Sequence, residues 1–191
     1  MERPESVSVG RTMDRNLTGK LADRDIRIVE EGLCGRTTIF EDPLRLGRRG
    51  TELLPTLLET HTPDAVVLML GTNDCKTIFG ASEEIIGKGI ARLLEQINQY
   101  TDKMKVLVIS PIYLGEKVWQ DGYDQEFSPE SVEVSKKLEP VYEKVAGKYG
   151  KRFMRAADYA SPSEADQEHM DGQSHKILAD AIYRKLEAEI L

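Results

Sequence analysis

Apolar residues along this chain fall into two kinds of segment that take turns. Short continuous runs at residues 26–29, 65–70, 106–109 and 153–157 read as strands. The clearest is Ala65-Val66-Val67-Leu68-Met69-Leu70, far too short to cross a membrane, which predicts a strand buried on both faces. Between the runs, apolar residues recur at helical spacing. Leu53, Leu54, Leu57 and Leu58 predict a helix over residues 51–60. Ile85, Ile86, Ile90, Leu93, Leu94 and Ile97 predict one over residues 82–99, with Ser82 as its N-cap. Residues 130–149 read as a long helix in which Pro140 predicts a kink or a break. Residues 173–190 close the chain as an amphipathic helix with Ile177, Leu178, Ala181, Ile182 and Leu186 inward. Strands separated by helices predict a single α/β domain over residues 1–191, with a parallel sheet covered on both faces.

Two long irregular stretches interrupt this order, residues 33–50 and 111–129. Loops of that length are usually functional, and both follow strands. They are therefore expected at the sheet edge where open α/β folds bind ligands. The second holds Tyr113, Trp119, Tyr123 and Phe127, which either wall a pocket or pack for stability. Arg45-Leu46-Gly47-Arg48-Arg49 reads as a solvated loop or a subunit contact before it reads as an anion site.

Charge narrows the function classes. The 33 acidic and 26 basic residues leave a net charge of −7, which argues against non-specific binding to nucleic acid or an anionic membrane. The charged start at residues 1–4 is unlike a signal peptide, so a cytoplasmic location is expected, with Cys34 and Cys75 as free thiols. The three histidines show no metal-ligand spacing, and neither a metal nor a cofactor is expected.

Three polar motifs carry candidate chemistry. Gly71-Thr72-Asn73-Asp74 follows the clearest strand; the Asn73 amide there either donates into a crevice or caps a turn. Gly32 and Gly35, three apart, let the backbone turn sharply and aim an N–H at a ligand, though a plain tight turn reads the same. Asp166 and His169, also three apart, suit a carboxylate that holds an imidazole in one tautomer, the base-and-orienter half of a nucleophilic triad, though alone the pair reads more simply as a surface turn. Asp171 and His175 form a competing pair, but His175 falls nearer the helix body, where a capping or packing role is expected.

Taken together, and in this order, the three motifs resemble the SGNH (GDSL-type) hydrolase family. Gly32 and Gly35 match its second block, Gly71-Thr72-Asn73-Asp74 its third, and Asp166 with His169 its fifth. The stretch from Ile28 to Thr38, then Leu54-Pro55, then Val67 to Asp74, is similar to the arylesterase/acyltransferase branch. The resemblance runs from about residue 15 to the C-terminus. It implies a flavodoxin-like three-layer α/β/α sandwich in which a serine attacks a small carboxylic ester and forms an acyl-enzyme. It makes His169 the general base, Asp166 its orienter, and the Gly35 N–H and Asn73 side chain oxyanion donors. It implies a small-molecule substrate, no cofactor, and a homo-oligomer.

The family's first block, the Gly-Asp-Ser that carries the nucleophile, has no match here. Residues 1–14 are an atypical N-terminal segment. In one account residues 6–9 are a poor first strand and Thr12 stands at the nucleophile position, with Ser6 and Ser8 as further candidates. In the other, which the helix-like residues 15–21 favour, the chain begins after the first strand. Two functions follow: an SGNH esterase or acyltransferase, or an inactive or truncated member that binds a small ligand without turnover. A nucleotide binder fares worst, because no phosphate-cradling glycine loop follows the first strand.

Overall fold

Three parallel strands form the sheet of the computed structural model, which describes residues 26–190. They are β1 (Ala65–Leu68), β2 (Lys105–Ser110) and β3 (Arg152–Arg155), in the order β1-β2-β3. Val66 pairs with Val106, Leu68 with Val108, and Ile109 with Met154. The helices are α1 (Gly50–His61), α2 (Glu83–Tyr100), α3 (Pro129–Lys148) and α4 (Gly172–Glu189).

Alternation along β2 divides the core in two. Val106 and Val108 point to one face and pack with Ile86, Ile90, Leu93 and Ile97 of α2 and Leu138, Tyr142 and Ala146 of α3. Leu107 and Ile109 point to the other and pack with Leu178, Ile182 and Leu186 of α4. Each fully buried Leu or Ile here contributes about 1.5–3 kcal/mol by transfer from water. The result is the three-layer α/β/α arrangement expected from the pattern of runs and periods.

β1 departs from expectation. It is shorter than the apolar run, and only Leu68 is buried; Val67 is 38% exposed. Val67 shares a face with Ala65 and Met69, which pack partly buried against the second cluster, whereas Val67 does not join it. Among the described residues no strand pairs with the outer side of β1. Residues 26–29, expected as a strand, form no ladder; Ile26 and Ile28 pack partly buried against the second cluster.

The helices correct three details. Ile85 and Ile177, expected inward, are 38% and 40% exposed at the margins of their apolar stripes. Ser82 stands at the N-cap of α2 without capping it; its hydroxyl serves the Glu84 carboxylate instead. α3 is one helix with Pro140 inside it, not two. Its start is set by Pro129 in the first turn and by a reciprocal cap, in which Ser131 N–H donates to Ser128 Oγ at 3.3 Å and Ser128 N–H to Ser131 Oγ at 3.1 Å.

Because the strands are parallel, their carboxyl ends share one edge. At the β1 exit Gly71 has φ +130°, and a Cβ there would stand 2.2 Å from Tyr142 Oη. The buried Tyr142 hydroxyl donates to the Leu70 carbonyl at 2.9 Å. α3 therefore seats on this exit only because residue 71 has no side chain.

Candidate active site

The first arm is a tight turn. Arg36 N–H donates to Leu33 C=O at 3.1 Å, and Gly35, third in the turn, has φ +81°, which a side chain would strain. Arg48 Nε donates to Cys34 C=O at 2.9 Å and braces the turn from the loop's far limb. Gly35 is buried, and its N–H has no acceptor among the described residues.

The second arm leaves β1 through a 3₁₀ turn, Asn73–Cys75. Asn73 Nδ2 donates to Arg36 C=O at 3.2 Å, which ties the amide to the first arm and leaves its second N–H. The two expected oxyanion donors are thus brought to one corner. Asp74, the last residue of the Gly71–Asp74 motif, is fully buried and clamps the arms together. Its two oxygens accept Thr38 N–H at 2.9 and 3.0 Å, and Oδ1 also accepts the Thr38 hydroxyl. Burial raises the Asp74 carboxyl to about 6, against the pull of the Thr38 hydroxyl and amide. Phe40 stacks on Phe79 with ring centroids 4.9 Å apart, a second tie between the arms.

The third arm lies between β3 and α4. Asp166 Oδ1 accepts His169 N–H at 2.8 Å, Glu168 N–H at 3.1 Å and the Ser163 hydroxyl at 3.1 Å. Asp166 Oδ2 lies 2.9 Å from His169 Nδ1. Burial pushes Asp166 up, but these N–H groups and the imidazole pull harder, so its carboxyl sits below the usual aspartate range. An ionised Asp166 places the imidazole proton on Nδ1 and leaves the Nε2 lone pair available as a base. Gln167, between them, is held at φ +62° at a cost of about 1 kcal/mol. Its carbonyl accepts Gly115 N–H at 2.7 Å and its Oε1 accepts Lys117 N–H at 3.3 Å. The competing pair has other work. Asp171 caps α4, accepting Ser174 N–H at 2.7 Å, while His175 is buried, and burial with nearby His169 lowers its pKa.

Residues 111–129 join the arms through charge. Lys76, three residues past Asn73, is buried with its ammonium 2.6 Å from Glu126 and over the Phe127 ring. Burial raises Glu168, which His169 and Lys76 pull down and Asp124 and Asp166 push up. Sequence reading missed Lys76, Glu126 and Glu168, whose neighbours along the chain give no signal. The aromatics of this loop do not converge. Phe127 enters the first core cluster, Tyr113 Oη donates to Glu139 at 2.6 Å, and Trp119 Nε1 donates to Glu116 C=O.

Thr12, Ser6 and Ser8 lie outside the described residues. Among the described residues no hydroxyl is hydrogen-bonded to the His169 ring, no cluster of His, Cys, Asp or Glu suits a metal, and no helix is long and apolar enough to cross a membrane. Cys34 and Cys75 are both free thiols.

Comparison with known proteins places these arms in context. Residues 6–176 match the model of the GDSL-like Lipase/Acylhydrolase family. No curated protein matches the chain. A carbohydrate acetylesterase family member from Sinorhizobium meliloti is 29% identical with a TM-score of 0.84, over 92% of this chain and 85% of its own. Est24, a carbohydrate acetylesterase from the same organism, is 30% identical with a TM-score of 0.81, over 98% and 88%. The aryl esterase of M. smegmatis is 26% identical with a TM-score of 0.81, again over 98% and 88%.

Proposed function

The chain belongs to the GDSL-like lipase/acylhydrolase family, and from that premise we propose that it is an SGNH-type esterase acting on small acyl esters through an acyl-enzyme. The observation that carries this reading is the Asp166–His169 pair, 2.9 Å apart, on the same sheet edge as the Gly35–Asn73 corner. His169 Nε2 takes the proton of a nucleophilic hydroxyl as its oxygen bonds to the ester carbonyl carbon. The carbonyl oxygen becomes an oxyanion, received by the Gly35 N–H and the free N–H of Asn73. Collapse breaks the bond to the alcohol, which leaves with the proton from His169. Water then attacks the acyl-enzyme carbonyl, giving a proton to His169; collapse breaks the acyl–oxygen bond, releases the acid and returns that proton to the nucleophilic hydroxyl. The short acyl groups named for the acetylesterase relatives fit this substrate class.

The second reading is an SGNH fold that binds its ligand without turnover. It is favoured by one observation: no described hydroxyl engages His169. Hydrolysis of p-nitrophenyl acetate by the whole chain, beside His169→Ala and Asn73→Ala, separates the two. The esterase reading expects turnover lost in His169→Ala and lowered by roughly 10²–10³-fold in Asn73→Ala. Equal background rates in all three proteins would sink it.

A further inference from the structure

The His169 ring meets two carboxylates. Glu168 Oε2 lies 3.7 Å from Nδ1, the same atom that Asp166 Oδ2 meets at 2.9 Å. The longer distance is too great for a hydrogen bond but short enough for an ion pair once the ring is charged. The backbone brings both acids there. Glu168 N–H donates to Asp166 Oδ1 at 3.1 Å, and Gln167, at φ +62°, turns the chain between them. The 111–129 loop holds that turn. Gly115 N–H donates to the Gln167 carbonyl at 2.7 Å, and a Cβ on Gly115 would collide with the Gln167 side chain.

The Glu168 side chain is only 13% exposed, and its carboxylate accepts no hydrogen bond from the described residues. A carboxylate so placed is costly unless a cation completes it. Burial pushes the Glu168 carboxyl above the usual glutamate range; His169 and Lys76 pull it back, while Asp124 and Asp166 push with burial. His169 is faced by Asp166 and Glu168 and, from α4, by His175. Among the described residues the imidazole is the one group within ion-pair distance of Glu168. The pair is therefore complete only while His169 holds a second proton. On the esterase reading above, that is when Nε2 has taken the proton of the nucleophilic hydroxyl.

We propose that Glu168 is a positioning residue for His169, a second carboxylate that stabilises the imidazolium formed during acyl transfer while Asp166 keeps the Nδ1 proton. This inference rests on that esterase reading. An attraction that grows as the ring gains charge lowers the barrier without tightening substrate binding, so kcat rather than KM carries it.

Titration of the His169 ring by NMR in the whole chain tests the pair without requiring turnover, the ring signals being assigned by their loss in His169→Ala. In Glu168→Gln the midpoint of that titration should fall by about one pH unit. This is the lower end of what an opposite charge at such a distance produces, because the ring is 40% exposed. Glu168→Asp keeps the charge and should move the midpoint less. The thermal midpoint of Glu168→Gln should stay level or rise, since a largely buried charge is removed. In p-nitrophenyl acetate hydrolysis the acidic limb of kcat/KM should move down with the ring, and kcat on the plateau should fall by up to about tenfold with KM unchanged. An unmoved ring titration, an equal shift in Glu168→Asp, or a marked fall in the thermal midpoint of Glu168→Gln would each overturn the assignment. Absent hydrolysis in the wild type, with the ring shift present, would overturn the esterase reading and leave the Glu168–His169 pair standing. Hydrolysis whose acidic limb and plateau ignore Glu168→Gln would overturn the role of Glu168 and leave the esterase reading standing.

Discussion

Thr38→Val isolates the clamp between the first two arms. The substitution keeps the shape of residue 38 and its N–H bonds to Asp74, but deletes the hydroxyl that donates to Asp74 Oδ1. A hydrogen bond to a charged, fully buried acceptor contributes about 1.5–3 kcal/mol, and one to its neutral form about 1 kcal/mol. The loss should therefore depend on pH. Burial holds Asp74 at about 6, above its ordinary value. Its contribution to stability is fully present below the unfolded-state pKa and is lost as pH rises through about 6. Without the hydroxyl the carboxyl rises further, so the charged form costs more at every pH where the wild type is ionised. Urea unfolding at pH 5 and pH 8 is the assay. The variant should lose about 1 kcal/mol at the lower pH and about 1.5–3 kcal/mol at the higher. Equal losses at both, or none, would refute the clamp as described.

Asp166→Asn should keep its oxygen on the His169 and Glu168 N–H groups and turn its amide toward Nδ1, forcing the imidazole proton onto Nε2. Turnover of an aryl acetate should then fall on the order of 10⁴-fold with the fold intact by circular dichroism. Gly71→Ala places a methyl 2.2 Å from Tyr142 Oη at φ +130° and should cost about 2–4 kcal/mol in urea unfolding, part of it recovered by adding Tyr142→Phe. Iodoacetamide followed by mass spectrometry should label exposed Cys34 and spare native Cys75, whose thiol is pushed up by burial and by Asp74.

The layers were legible because helical and strand periods are local properties. α2 and β2 lie within one or two residues of the positions that spacing alone indicates. β1 was over-read for a related reason: an apolar run says that residues tolerate burial, not that a neighbour arrives to bury them. The same limit explains the misread cap at Ser82. Ser82 and Ser128 are alike in type, and only the residues within reach of each hydroxyl decide which one caps. At the candidate site, Gly35, Asn73, Asp166 and His169 were singled out by the order in which their three motifs resemble one family, since each motif alone reads as well as a plain turn. The contacts that hold the arms did not stand out. Thr38 to Asp74 spans 36 positions and Lys117 to Gln167 spans 50, distances over which sequence spacing carries no geometric information.

The flank of β1 away from β2, on which no strand pairs among the described residues, has a consequence for solutions of this protein. Backbone N–H and C=O groups along that flank have no ladder among the described residues, and such a row is a template onto which another extended chain can crystallise its own hydrogen bonds. Four residues give it about 13 Å of length, a brevity that restrains growth of stacked strands. Because Leu68 leads within three residues to Gly71, a chain settling there would press first on the Asn73 arm. On the esterase reading proposed above, self-association through this flank would thus disturb the Gly35–Asn73 corner.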